Sequence, residues 1–185
     1  LSYGIAGAML AELALLGTIQ INDKHRVEVK DAPPPDDDIL GNTLQEIKTS
    51  EQTRKISYWI DRLSDEPKKF HKHLAEKLVQ EGVVTREDKR LLWVVPPPEA
   101  PEPCGSAKFW LKARLRKVAL AGQAADLRDL ALLKLAYACS WLDLLFTKDE
   151  RKVASRRIYE LLVSEAMHNP AGQAVEEISS AIESV

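Results

Sequence analysis

The chain has 185 residues, 45% of them hydrophobic and 29% charged, enough apolar content for a real core and a composition that excludes collagen-like, disordered and disulfide-scaffold classes. Its 26 lysines and arginines nearly balance 28 aspartates and glutamates, so the net charge of -2 argues against a nucleic-acid partner and leaves room only for a local basic patch. Two cysteines, Cys104 and Cys139, are too few for a disulfide framework and fit a reducing, cytoplasmic setting.

The first residue, Leu1, already sits inside an apolar helical pattern with no basic leader region before it, which predicts a missing N-terminal segment rather than a signal peptide. Ile5, Ala8, Met9, Leu13 and Leu16 recur at helical spacing and predict a buried helix over 3–16, with Gly17 as its C-terminal cap. Glu12 interrupts this stretch, which also falls short of the roughly 18–20 residues that span a bilayer, so any membrane contact is expected to be peripheral. Residues 18–22 and 26–30 alternate apolar and polar around Asn22-Asp-Lys-His25, which predicts a β-hairpin closed off by Pro33-Pro-Pro35.

Asp36 to Asp38 precede Ile39, Leu40, Leu44 and Ile47, and carboxylates at that end favour a helix start. Ile56, Trp59, Ile60 and Leu63 predict a second short helix ending near Ser64-Asp65. Pro67 opens a longer helix with Phe70, Leu74, Leu78 and Val79 that stops at Gly82. Thr85 caps a short turn, and Leu91-Leu-Trp-Val-Val95 reads as a strand, which places a second small hairpin near 83–95. Residues 96–105 are proline-rich and extended. Four helices follow, over 106–120, 126–146, 148–167 and 169–184, the last with Asn169 as cap and Pro170 at its first position. The fold class expected is mainly α: a single helical domain over 1–185 with small β-hairpins.

Chemistry-bearing motifs are sparse. There is no nucleophile elbow, no glycine-rich phosphate loop and no His-Glu-Xaa-Xaa-His, so no catalytic residues and no cofactor are assigned. His71 and His73 point about 200° apart on a helix and chelate a metal poorly, and His25 and His168 sit in unrelated segments, so no metal site is expected. Glu12 stands out because an unpaired carboxylate in an apolar helix is costly. It reads as a buried structural carboxylate paired with a basic side chain or capping a neighbouring helix, with a general base as the alternative. Lys68-Lys-Phe-His-Lys-His73 is the densest basic stretch, and Lys68, His71 and Lys72 share a helical stripe near a helix start. Lys68, Lys69, His71 and Lys72 are therefore the candidate anion site, weighed against an ordinary solvated face. A second basic cluster, Lys112, Arg114, Arg116 and Lys117, splits between two stripes and is the weaker candidate. A third, Arg151, Lys152, Arg156 and Arg157, reads as solvated.

Four blocks, in order, resemble the Golgi phosphoprotein 3 family: GIAGAMLAELALLGTI over 4–19, YWIDRL over 58–63, LAEKLVQEGVVT over 74–85, and the stretch 130–146 containing Leu135-Ala-Tyr-Ala138. The resemblance implies a helical, non-enzymatic peripheral adaptor that binds anionic membrane lipid. Eukaryotic members read phosphatidylinositol 4-phosphate on the cytosolic face of the Golgi and grip the cytoplasmic tails of membrane proteins. The family's pocket arginines would fall at Ala6, Lys68 and His71. Lysine keeps the charge without the bidentate fork, and His71 gains charge as pH falls through about 6.5, the unperturbed histidine value. The family's self-association hairpin is replaced by the proline-rich 96–105, which leaves a homo-oligomer as an open expectation. The alternative is a soluble protein-interaction module that kept the fold and lost the lipid site.

Overall fold

A helix with no polar face must be enclosed by its neighbours, and the first helix, α1 (Ser2–Leu15), is apolar on every side with Glu12 its only charge. A computed structural model describes residues 1–65, 67–83, 107–163 and 168–184, excepting the side chains of 67–71 and 162. In it Gly4, Ala6, Gly7, Met9, Leu10, Ala11, Leu13 and Ala14 of α1 are all buried. The helix ends in a Schellman turn: Gly17 adopts φ +71°, the Gly17 amide donates to the Ala14 carbonyl, and the Thr18 amide donates to the Leu13 carbonyl.

Three helices enclose α1: α3 (Ile56–Ser64), α6 (Leu127–Ala138) and α9 (Pro170–Glu183). Gly7 permits the close approach, because a Cβ there would lie 2.5 Å from Ile182 Cδ1 and 3.1 Å from Leu135 Cδ2. Leu10, Leu13, Ile60, Leu130 and Ile178 are sealed inside this main cluster, with Trp59 beside them. The N-terminus of α9 is capped by Asn169, whose side chain accepts from the Gly172 amide, with Pro170 in the first turn as expected.

The expected hairpin over 18–30 is present as β1 (Ile19–Ile21) and β2 (Val27–Val29), antiparallel, with Ile19 opposite Val29 and Ile21 opposite Val27. The Asn22 side chain accepts from the Lys24 and Arg26 amides, and His25 takes a left-handed φ of 57° to close the turn. Ile19 and Val27 are buried and pin the hairpin to the main cluster. The second expected hairpin lies outside the described residues beyond Val83, as does the proline-rich stretch 96–105 with Cys104.

α2 (Asp38–Thr49) starts where the carboxylates predicted: the Asp37 side chain accepts from the Ile39 and Leu40 amides. α4 (Pro67–Gln80) ends in a second Schellman turn at Gly82, φ +70°.

A second cluster gathers Leu115, Val118 and Ala119 of α5 (Ala107–Ala121), Leu133 of α6, Phe146, and Ala154 and Ile158 of α8 (Lys148–Leu162). The single helix expected over 126–146 is in fact broken. α6 stops at Ala138 and a one-turn α7 (Leu142–Leu145) follows. Ser140 takes φ 58°, its amide donates to the Tyr137 carbonyl, and the Trp141 amide donates to the Ala136 carbonyl at 2.7 Å. This is a Schellman turn built on serine. It lays the Trp141 ring on Gly4, where any Cβ would overlap it, and sends Phe146, 3% exposed, into the second cluster. Apolar periodicity runs straight through such a turn because Leu142, Leu145 and Phe146 keep it alive.

Candidate functional site

The backbone of α4 carries the candidate basic residues in helix from Pro67 onward. The side chains of Lys68, Lys69 and His71 lie outside the described residues, while Lys72 is exposed. What the structure does show is how the rest of α4 is fastened. Lys77 Nζ lies 2.6 Å from Asp37 and 2.7 Å from Asp38, and His73 Nε2 lies 2.8 Å from Asp38. The two carboxylates that open α2 thus hold the Lys77 ammonium and the His73 ring from the later turns of α4.

The charges in this clamp reinforce one another. The hydrogen bond from Lys77, then that from His73, holds the Asp38 carboxyl down at about 2. For Asp37, burial works to raise the value, but the hydrogen bond from Lys77 and the Leu40 and Ile39 amides together outweigh it and hold the group below the usual carboxylate range. Hydrogen bonds to Asp37 and then Asp38 push the Lys77 ammonium up. The Lys77 charge is therefore neutralised locally and adds little to the face that Lys72 presents.

The other candidates resolve into structural pairs. Arg128 donates to both oxygens of Glu12, the closest contact at 2.6 Å, and these bonds push the guanidinium up. Glu12 is paired, as the structural reading required, but its side chain is 29% exposed rather than buried. It sits on the rim of α1, where a carboxylate keeps part of its hydration. Arg114 Nε lies 2.7 Å from Oδ1 of Asp129, which is 4% exposed; that oxygen has no hydrogen bond of acceptable angle, so the pair is Coulombic. Arg116 grips Glu150 in a fork at 2.8 and 2.5 Å and also donates to the Leu145 carbonyl. That fork, followed by the Thr147 amide, holds Glu150 down at about 2. In the third basic cluster Arg156 and Arg157 pair with Glu160 on the exposed face of α8.

Sequence reasoning placed His25 and His168 in unrelated segments, and the fold brings both to the same acidic turn of α9. His25 Nδ1 lies 2.5 Å from Glu177, and His168 and Glu177 both line a cleft of about 360 Å³ with Lys134, Tyr159 and Glu176. Lys134, 9% exposed, pairs with Glu176 across it at 3.2 Å. Only the contact between sequence-distant helices reveals this grouping, and no local motif signals it. Among the described residues no three His, Cys, Asp or Glu side chains converge to hold a metal.

A family model of Golgi phosphoprotein 3 (GPP34) matches residues 1–182 of the chain. The chain belongs to the Golgi phosphoprotein 3 family. Set against the pocket positions that resemblance to the family assigned, Ala6 is 1% exposed and offers no cation from α1. Among the described residues no helix is long and apolar enough to cross a membrane.

Proposed function

We propose that this Golgi phosphoprotein 3 family member is a non-catalytic, peripheral membrane adaptor whose α4 face, Lys68, Lys69, His71 and Lys72, receives anionic lipid head groups. The family match over residues 1–182 carries the reading. The clamp on Lys77 supports it, because it fixes α4 to α2 through a charge further along the helix while Lys72 stays exposed. Phosphatidylinositol 4-phosphate is the head group that the family nominates, and cytoplasmic tails of membrane proteins are the protein partners. Attraction to an anionic surface is worth about 1 kcal/mol per basic residue near it, so four residues give weak, salt-sensitive and reversible binding.

Buried Ala6, where the family carries an arginine, favours a second reading: a protein-interaction module without the lipid site. Liposome co-sedimentation separates the two. On anionic vesicles at low salt the wild type should pellet, Lys68→Ala/His71→Ala should lose most of the binding, and Asp38→Asn should bind more strongly because it removes a carboxylate and releases part of the charge on Lys77. Equal pelleting of wild type and the double variant would leave the interaction module as the better reading.

A further inference from the structure

The first two turns of α5 contain three consecutive large apolar residues, Phe109, Trp110 and Leu111, yet the buried positions of this helix begin only at Leu115. Trp110 is 63% exposed and Leu111 40% exposed. Trp110 stands edge-to-face with Phe109, ring centroids 5.5 Å apart, which presents the indole as a stiff projection. α5 also carries Lys108, Lys112, Arg114, Arg116 and Lys117 and no acidic residue. Arg114 and Arg116 turn their charge toward Asp129 and Glu150, while Lys117 is exposed.

We propose that the exposed face of α5 around Trp110 is a membrane-contact surface distinct from the α4 face, with Trp110 and Leu111 seated in the interfacial layer of an anionic bilayer and Lys117, seven residues on from Trp110 and on the same stripe, at head-group level. Tryptophan suits that layer because its ring is apolar while its N–H stays wet, and neighbouring lysines gain from anionic lipid. A second copy of the chain is a poor occupant. Bringing two such helices together sets like charges face to face, whereas anionic lipid supplies the opposite charge. The surface shares with the α4 reading only the need for anionic lipid, and none of its residues.

The test uses the full chain with phosphatidylcholine/phosphatidylserine vesicles containing brominated acyl chains. The brominated lipid should quench wild-type tryptophan fluorescence, and Trp110→Phe, a conservative change at an exposed site, should lose most of that quenching. Trp110→Ala/Leu111→Ala should weaken vesicle partitioning by about tenfold, equivalent to about 1.4 kcal/mol. Three results would overturn the proposal: equal quenching of wild type and Trp110→Phe; acrylamide quenching without vesicles that is the same for both, meaning Trp110 is already covered; or a wild-type dimer that Trp110→Ala converts to monomer, which gives the face to a second copy. If Lys68→Ala/His71→Ala pellets like wild type while Trp110 remains quenched, the α4 reading fails and this one stands. If the wild type fails to pellet on anionic vesicles at low salt, both fail.

Discussion

The two hydrophobic clusters are assembled by different means. In the main cluster α1 has no polar face, so its neighbours are recruited chiefly by packing, with the Arg128–Glu12 pair only at the rim, and glycine at position 7 sets how closely α9 and α6 approach. In the second cluster α8 is strongly charged, and among its described side chains Ala154 and Ile158 are the buried ones. There ionic contacts supplement the packing: the Arg116 fork on Glu150, the Leu145 carbonyl it also reaches, and the Arg114 contact with Asp129. An all-apolar helix has many ways to be buried and needs shape to choose among them. A polar helix with a narrow apolar stripe has little to gain from burial, and charge fixes how it docks.

If that contrast is right, the largest loss comes from the main cluster. Leu10, with 0% exposure, becomes a void in Leu10→Ala, and chemical denaturation should show a loss of about 2–5 kcal/mol. In the second cluster Arg114→Ala strands the 4% exposed Asp129 carboxylate, and the loss should be about 1–3 kcal/mol because no other described residue pairs with Asp129. An Arg114→Ala effect equal to that of Leu10→Ala would break the comparison.

The smallest effect sharpens it. Glu150 is held at about 2, below its usual 4.5, so its pairing contributes stability that is fully present above the unfolded value and lost as pH falls through about 2. Asp38, at about 2 against 3.8, behaves the same way in the α2–α4 clamp. Urea midpoints at about pH 5 and about pH 2.5 should therefore converge more closely in Glu150→Gln than in wild type. An unchanged pH response in Glu150→Gln would mean that the fork on Arg116 contributes nothing to holding α8.

Much of the fold was legible where one residue type controls one local event. Gly17 and Gly82 end helices because left-handed backbone suits glycine, Asp37 and Asn169 begin them because their side chains accept free amides, and Asn22 to His25 close the hairpin. The break after Ala138 was not legible, because a serine takes the left-handed position and the apolar spacing continues beyond it. The exposure of Glu12 was missed for a related reason: an all-apolar helix gives no hint of which edge meets water, and its partner Arg128 lies 116 residues away. The same distance effect hid the fate of Arg114 and Arg116. The basic run of α4 was visible as composition, whereas the carboxylates that take up His73 and Lys77 come from another helix and emerge only from the fold.

α6 is the common wall of both clusters, giving Leu130, Ala131 and Leu135 to one side and Leu133 to the other. Neither cluster can open without uncovering a face of that helix, so each transmits its own loss to the other. Partial unfolding is thereby disfavoured, and the amides of α6 should exchange with solvent only in the opening that costs the whole molecule.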